Sequence, residues 1–152
     1  MGSEFWYCAR MSRRADAALL AESHELSGKL FMVSERARSD FASIAEAFNL
    51  TALQARTVLW LEHPSAMRDL ADHLACDASN VTGLADRLEK RGVVQRVPAP
   101  SDRRVKHLQL TTEGANLRTR LAQRVAEGST VTARLTPHER QQLSHLLNKL
   151  LY

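Results

Sequence analysis

Cysteine is scarce in this chain, whose 152 residues include only Cys8 and Cys76. Two cysteines are too few for the disulfide framework that stabilises small secreted domains, so we expect a cytoplasmic location. Long apolar runs are missing as well, since no stretch approaches the roughly 18 residues needed to cross a bilayer, and no secretory signal is recognisable. The sequence therefore predicts neither a disulfide scaffold nor a membrane protein.

Familiar catalytic motifs are also absent. The six glycines are dispersed, and the sequence contains no P-loop, no Gly-x-Gly-x-x-Gly, no His-Glu-x-x-His and no Cys-x-x-Cys. Asp69 and Asp72 imitate a catalytic carboxylate pair, but their spacing places them on the polar face of a short helix, where solvation explains them. We expect neither an enzyme nor a bound cofactor.

The composition does offer a mild excess of positive charge. Lysine and arginine number 21 against 17 aspartates and glutamates, and the net charge is +4. This balance permits nucleic-acid binding without requiring it. The excess is concentrated between residues 86 and 106, where seven basic residues outnumber three acidic ones. The basic residues are Arg87, Lys90, Arg91, Arg96, Arg103, Arg104 and Lys106.

The first ten residues look foreign to the rest of the chain. The opening Met-Gly-Ser-Glu-Phe resembles a vector-derived scar, so we expect the natural protein to start near Met11. We treat residues 1–10 as a disordered tag and leave them out of the fold.

Helical spacing of apolar residues dominates the remaining sequence. Helices are predicted over about residues 15–48, 52–62, 67–75, 78–91, 112–129 and from 137 onward. The first carries one continuous apolar stripe, formed by Leu26, Leu30, Val33, Ala37, Phe41, Ile44 and Phe48. Two short strands, at residues 93–97 and 105–110, flank a charged turn that contains two prolines.

Capping signals mark several helix ends. Capping boxes are predicted at Thr51–Gln54 and Thr136–Glu139, where a hydroxyl and an amide or carboxylate satisfy free N–H groups. Asp77 and Thr111 are predicted N-caps, and Gly92 is the predicted C-terminal cap of its helix.

The order of these elements indicates a mainly α fold with a small β-hairpin. The helices over residues 67–75 and 78–91, joined by a tight turn at Cys76–Asp77, form a candidate helix-turn-helix, and the hairpin is its wing. Serine, threonine and asparagine at the start of the second helix suit contacts with base edges in a major groove. That polar face also fits a solvated helix, and the basic hairpin favours DNA.

The sequence resembles the MarR family of bacterial regulators from about residue 20 to the end. The resemblance rests on LTALQ, DLADHL, SNVTGLADRLEKRGVV, DRR and LTTEG, found at residues 50–54, 69–74, 79–94, 102–104 and 110–114. It implies a homodimer held by the first and last helices. Residues 11–48 and 112–152 would form the helical dimerisation region, and residues 50–111 the winged helix-turn-helix domain.

The resemblance also implies which residues contact double-stranded DNA. Asp102 is expected to orient Arg104, and arginine is attracted to a narrow minor groove. Gly83 departs from the family, because many members have an arginine there. The predicted DNA-binding residues are Ser79, Asn80, Thr82 and Arg87 in the recognition helix and Asp102, Arg103 and Arg104 in the wing. We expect a repressor that binds pseudo-palindromic operators.

A small aromatic or phenolic effector is the third implication, since such acids commonly release family members from DNA. Val33 and Arg36 of the first helix and Leu53 and Thr57 of the second map near the family's ligand pocket. Arg36 is a candidate partner for a carboxylate, although a surface or dimer-interface arginine explains it better.

Three alternatives remain open on the sequence alone. A helical dimer that binds another protein would keep the fold without touching DNA. A redox-responsive regulator would need a reactive cysteine, but Ser27 stands where one branch of the family has it, and packing explains Cys76 better. A metal-responsive regulator has only His73 and Cys76 at suitable spacing, too few ligands for a site.

Overall fold

The computed structural model describes residues 3–99, 105–128 and 130–151, with side chains from residue 18 onward. It divides into two compact units, Met1–Arg38 and Ser39–Tyr152, which we describe separately. In the described part of the chain, no helix is long and apolar enough to cross a membrane.

The first helix, α1, spans Ser3–Ala47. It begins upstream of the predicted start near residue 15, and inside residues 1–10, which we had assigned to a disordered tag. Residues 3–14 contain alanine, glutamate, methionine and arginine and lack proline and glycine. Extending an existing helix through such residues is favourable, because each added residue gains a hydrogen bond without a new nucleation step.

The second helix, α2, spans Ala52–Trp60, and its predicted capping box is confirmed. The Thr51 hydroxyl accepts the Gln54 N–H at 3.2 Å, and the Gln54 side chain accepts the Thr51 N–H at 2.9 Å. The helix ends slightly earlier than predicted, with Leu61 at its C-cap.

The helix-turn-helix consists of α3, Met67–Leu74, and α4, Ala78–Lys90. Ala75 takes a left-handed conformation with φ 51° and ends α3. Asp77 occupies the N-cap of α4 as predicted, but its side chain makes no capping hydrogen bond within the described structure; its carbonyl accepts the Val81 N–H at 3.1 Å instead. Gly92, with φ 70°, follows α4 in the left-handed conformation that favours glycine at a helix end.

Three short strands form one antiparallel sheet in the order β1-β3-β2. Strand β1 is Ser65–Ala66, β2 is Val94–Pro98 and β3 is Lys106–Leu110. The hairpin β2–β3 is the predicted wing, with Val94 opposite Leu110 and Pro98 opposite Lys106. Sequence analysis missed β1, because two residues are too few to show the alternation by which strands are recognised.

The last two helices are α5, Thr112–Gly128, and α6, Pro137–Leu151. Both predicted caps are confirmed, since the Thr111 hydroxyl accepts the Gly114 N–H at 3.0 Å and Thr136 exchanges hydrogen bonds with Glu139. These hydrogen bonds lower the pKa of Glu139, chiefly through the backbone N–H of Thr136. The carboxylate therefore supports the cap at neutral pH, and this support is lost only in acid.

The core of the second unit collects one face from each of several elements. Its fully buried side chains include Val58 of α2, Leu70 of α3, Leu84 and Leu88 of α4, and Leu121 of α5. The mainly α winged helix-turn-helix with a small antiparallel sheet is thus confirmed.

The start of α5 is packed directly against the end of the recognition helix. A Cβ atom added to Gly114 would lie 1.9 Å from the Val93 carbonyl oxygen. The Thr111 N–H donates to that oxygen at 3.1 Å, and the Thr111 hydroxyl donates to the Gly92 carbonyl at 2.6 Å. A side chain at Gly114 would have to separate these groups.

We therefore expect Gly114→Ala to lower the free energy of unfolding by at least about 2 kcal/mol, since the clash involves backbone. Gly28→Ala is the matched control, because a Cβ there meets no described atom within 4 Å. It should leave stability unchanged or raise it by up to about 1 kcal/mol. Urea unfolding measures both, and equal stability of the two variants would contradict the packing.

Candidate nucleic-acid interface

One exposed face of α4 brings four predicted DNA-binding residues together. Val81, Leu84, Ala85 and Leu88 are buried on the opposite face. The exposed set consists of Ser79, Asn80, Thr82 and Arg87. The Thr82 hydroxyl donates to the carbonyl of Ala78 at 2.9 Å, so it is left with acceptor capacity. Short polar groups at the start of the helix and a cation about two turns later form a surface suited to base edges and phosphates.

Arg96 of β2 joins the hairpin to the recognition helix. Its guanidinium lies 2.5 Å from the Asp86 carboxylate and also pairs with Glu89, and its backbone N–H donates to Glu89 at 3.2 Å. The hydrogen bond that the guanidinium donates to Asp86 is the largest cause of the raised pKa of Arg96. Arg96 therefore pairs with two carboxylates of α4, so its positive charge is offset by groups of the protein itself.

Arg91 likewise serves the fold. Its guanidinium donates to the Asn49 carbonyl at 2.6 Å and to the Phe48 carbonyl at 3.5 Å. Asn49 has φ 56° and follows α1, so Arg91 places a cation on the carbonyl end of that helix. Arg91, which the sequence shows only as one of the basic residues of this region, thus has partners within the protein. The sequence does not indicate this contact, because Arg91 and its partners lie more than 40 residues apart.

The basic residues that stay exposed on this side are fewer than the sequence count suggested. Arg87, Lys90, Arg91 and Lys106 are exposed, whereas Arg96 is half-buried; of the four exposed residues, Arg91 is bound to backbone carbonyls. Asp102, Arg103 and Arg104 lie outside the described residues, so their predicted role remains a prediction. The hairpin next to them is closed by the Ala99 N–H, which donates to the Val105 carbonyl at 2.9 Å.

An open groove of about 560 Å³ borders the start of α4. It is lined by Ala71, Asp72, Ala75, Cys76, Asp77 and Asn80. Cys76 is half-buried and packs against the hydrophobic core, which agrees with a packing role. Within the described residues, no group of three or more histidine, cysteine or acidic side chains is arranged to hold a metal.

His73, the other residue considered for a metal, stacks on Trp60 with ring centroids 5.1 Å apart. Burial and then the nearby Arg56 lower its pKa, so the neutral form is favoured. Arg56 also donates to the His73 carbonyl at 3.3 Å and thereby links α2 to α3.

The four predicted effector residues fall in two different units. Val33 and Arg36 belong to the first unit and are exposed. Thr57 is buried in the second, and its hydroxyl donates to the carbonyl of half-buried Leu53 at 2.9 Å. A ligand pocket that includes all four remains a prediction.

Comparisons with known proteins agree with this geometry. A sequence model of the MarR family matches residues 50–106. The homoprotocatechuate degradative operon repressor of Escherichia coli is 33% identical over 125 residues, covering 80% of this chain and 84% of that protein.

Solved structures of similar fold include two DNA complexes. A mutant MarR from Escherichia coli complexed with operator DNA has a TM-score of 0.71 at 28% identity, covering 88% of this chain and 99% of that one. The transcriptional repressor CouR bound to a 23-mer DNA duplex has a TM-score of 0.72 at 28% identity, covering 84% and 92%.

We expect Arg96→Ala to lower the free energy of unfolding by about 1–2 kcal/mol, because two carboxylates of α4 lose their shared, partly buried partner. Arg120→Ala is the control, since its pair with Glu113 spans 3.8 Å and both side chains are well exposed. That change should cost less than about 0.5 kcal/mol. Thermal and urea unfolding measure both, and equal losses would show that the Arg96 cluster adds no stability of its own.

Proposed function

The chain belongs to the MarR family of winged helix-turn-helix transcriptional regulators, and from this premise we propose that it represses transcription by binding pseudo-palindromic operators as a homodimer. Members of this family bind DNA and are not enzymes. The resemblance seen in the sequence is therefore confirmed, and the chain is a DNA-binding regulator.

The exposed face of α4 is the observation that carries the proposal. Ser79 and Asn80 present short hydrogen-bonding groups at its start, Arg87 presents a cation one to two turns later, and the hairpin follows directly. A recognition helix of this kind enters the major groove by its N-terminal end. Repression follows from position, since a protein bound across a promoter excludes the polymerase, and the similar operon repressor and CouR are both named as repressors.

Apolar side chains that a single chain leaves in water support a homodimer. None of the described residues of α6 is buried, and Leu146, Leu150 and Leu151 are 56%, 67% and 70% exposed. On α1, Leu26 and Leu30 are about half exposed. Apolar stripes of this kind are liabilities on a monomer, and a second copy of the chain covers them symmetrically. A two-fold dimer presents two recognition helices about one DNA turn apart, which explains a pseudo-palindromic operator.

The experiment that tests this function is in-vitro selection of fragments from the source genome, with protein lacking residues 1–10, at near-physiological salt. We expect an enriched near-palindrome with half-sites about 34–36 Å apart. Enrichment of no sequence, with only weak and salt-sensitive binding, would instead favour a helical dimer that binds another protein.

Arg104→Ala should weaken binding to the selected operator at least about tenfold, because an arginine inserted in a narrow minor groove is lost. Arg134→Ala is the control, since it removes the same charge from the exposed loop before α6. Titration at fixed salt measures affinity, and sedimentation equilibrium should give the dimer mass for both variants. Wild-type affinity of Arg104→Ala would refute the assignment of the wing.

We further propose that a small aromatic or phenolic acid releases the protein from its operator. The similar repressor from Escherichia coli is named for an operon that degrades homoprotocatechuate, a phenolic compound. The exposed guanidinium of Arg36 supplies a cation for a carboxylate.

Salicylate should therefore lower operator affinity at least about fivefold, and Arg36→Gln should abolish this response. Arg38→Gln removes an exposed charge two residues away and should respond like the wild type. Operator titrations with and without salicylate decide the matter; affinity that salicylate does not alter, or an intact response in Arg36→Gln, would count against this effector site.

A further inference from the structure

Gly83 is half-buried and lies in the centre of the face of α4 that carries Ser79, Asn80 and Arg87. Ser79 and Asn80 lie one helical turn before it, and Asp86 and Arg87 lie one turn after it, so all four are its surface neighbours. The middle of the DNA-reading surface is therefore a notch, surrounded by side chains that project further than the backbone.

Nothing in the described part of the chain requires glycine at this position. Its φ lies outside the left-handed range, and a Cβ added there would meet only Arg87 Nη1, at 3.7 Å, an ordinary van der Waals distance. Gly92 and Gly114, in contrast, are required by a φ of 70° and by the Val93 carbonyl oxygen at 1.9 Å. Because glycine is among the poorest helix formers, Gly83 lowers the stability of α4. No close packing contact requires a glycine there.

We propose that Gly83 is a specificity-determining position, where the backbone of α4 approaches the C5-methyl group of a thymine in the major groove. The inference rests on the proposed operator binding. A thymine methyl is the one apolar group that base pairs present in this groove, and it distinguishes A·T from G·C pairs. Carbon atoms in contact lie about 3.5–4.0 Å apart, so an added Cβ would occupy the space of that methyl.

The neighbouring side chains fit a close approach. Ser79 and Asn80 are short, so their hydrogen bonds to base edges hold the helix deep in the groove. The Asp86 carboxylate, the acidic group among these neighbours, forms an ion pair with Arg96, which offsets its negative charge. A methyl at Gly83 needs no rearrangement within the protein, and the cost of adding it falls on the complex alone.

The substitution Gly83→Ala therefore has opposite expected effects on folding and on binding. The melting temperature should rise by roughly 2–4 °C, as for alanine in an open helix. Affinity for the operator should fall about tenfold, the loss expected for one base-pair contact, and affinity for unrelated DNA should not change. Gly28→Ala, the matched control in α1, should not alter the operator affinity.

Arg87 needs its own control, because it is the one described neighbour of the added methyl. Measured in an Arg87→Ala background, Gly83→Ala should still lower operator affinity about tenfold. Disappearance of the effect in that background would mean that the methyl acts by displacing Arg87, which overturns the close approach.

The deciding experiment is parallel selection of genomic fragments with the wild type and Gly83→Ala. A wild-type motif whose thymine preference at one position per half-site is lost in the variant supports the inference. The same motif bound with the same affinity by both proteins overturns it and leaves the proposed function intact. Failure of both proteins to enrich any sequence overturns the proposed function, and the inference with it.

Discussion

The backbone of one residue, Val93, joins the recognition helix, the hairpin and α5. Its carbonyl accepts the Thr111 N–H at 3.1 Å, and Gly114 approaches it so closely that no side chain fits between them. The N–H of Val93 donates to the Leu88 carbonyl at 3.0 Å and so closes α4. The end of the recognition helix, the start of the hairpin and the start of α5 are thus fixed at one point. Any change there alters how helix and wing are presented together.

Two arginines extend this junction and redefine the charge of the proposed DNA surface. Arg91 reaches the carbonyl end of α1, and Arg96 ties β2 to two carboxylates of α4. Both contact groups within the protein; the Arg96 pairs are partly buried, and such pairs stabilise more than fully exposed ones. Within the described part of α4 and the hairpin, the exposed cations without such a contact are Arg87, Lys90 and Lys106, a modest set for a DNA-binding surface. In the proposed function, affinity therefore also draws on the predicted base contacts, on the predicted wing arginines, and on the doubling of both in the proposed dimer.

The features that could be predicted from the sequence are those whose partners lie close to them in the sequence. Caps at Thr51, Thr111 and Thr136 were predictable, because their partners lie three residues away. The roles of Arg91 and Arg96 were not, since a basic residue near a recognition helix looks the same whether it meets phosphate or a distant carbonyl. Strand β1 was hidden for a related reason, because its two residues become a strand only by pairing with β3. The exposed face of α4 could be predicted from periodicity, whereas the open space around Gly83 could be seen only in three dimensions.

Gly83 and the leucines of α6 break local rules in the same way. A glycine in the middle of a helix and a helix with no buried apolar residue both weaken an isolated chain. Rules of local consistency are expected to fail where a molecule is shaped for something outside itself. In α6 the missing component has the chemistry of an apolar surface, which a second copy of the chain would supply in the proposed dimer. At Gly83 the missing component is a group of the size of a methyl at the centre of a polar face. In the proposed complex, the thymine of a base pair would supply that methyl group. The exposed leucines of α6 therefore point to a partner that completes the fold. Gly83 points to a partner that the folded protein recognises.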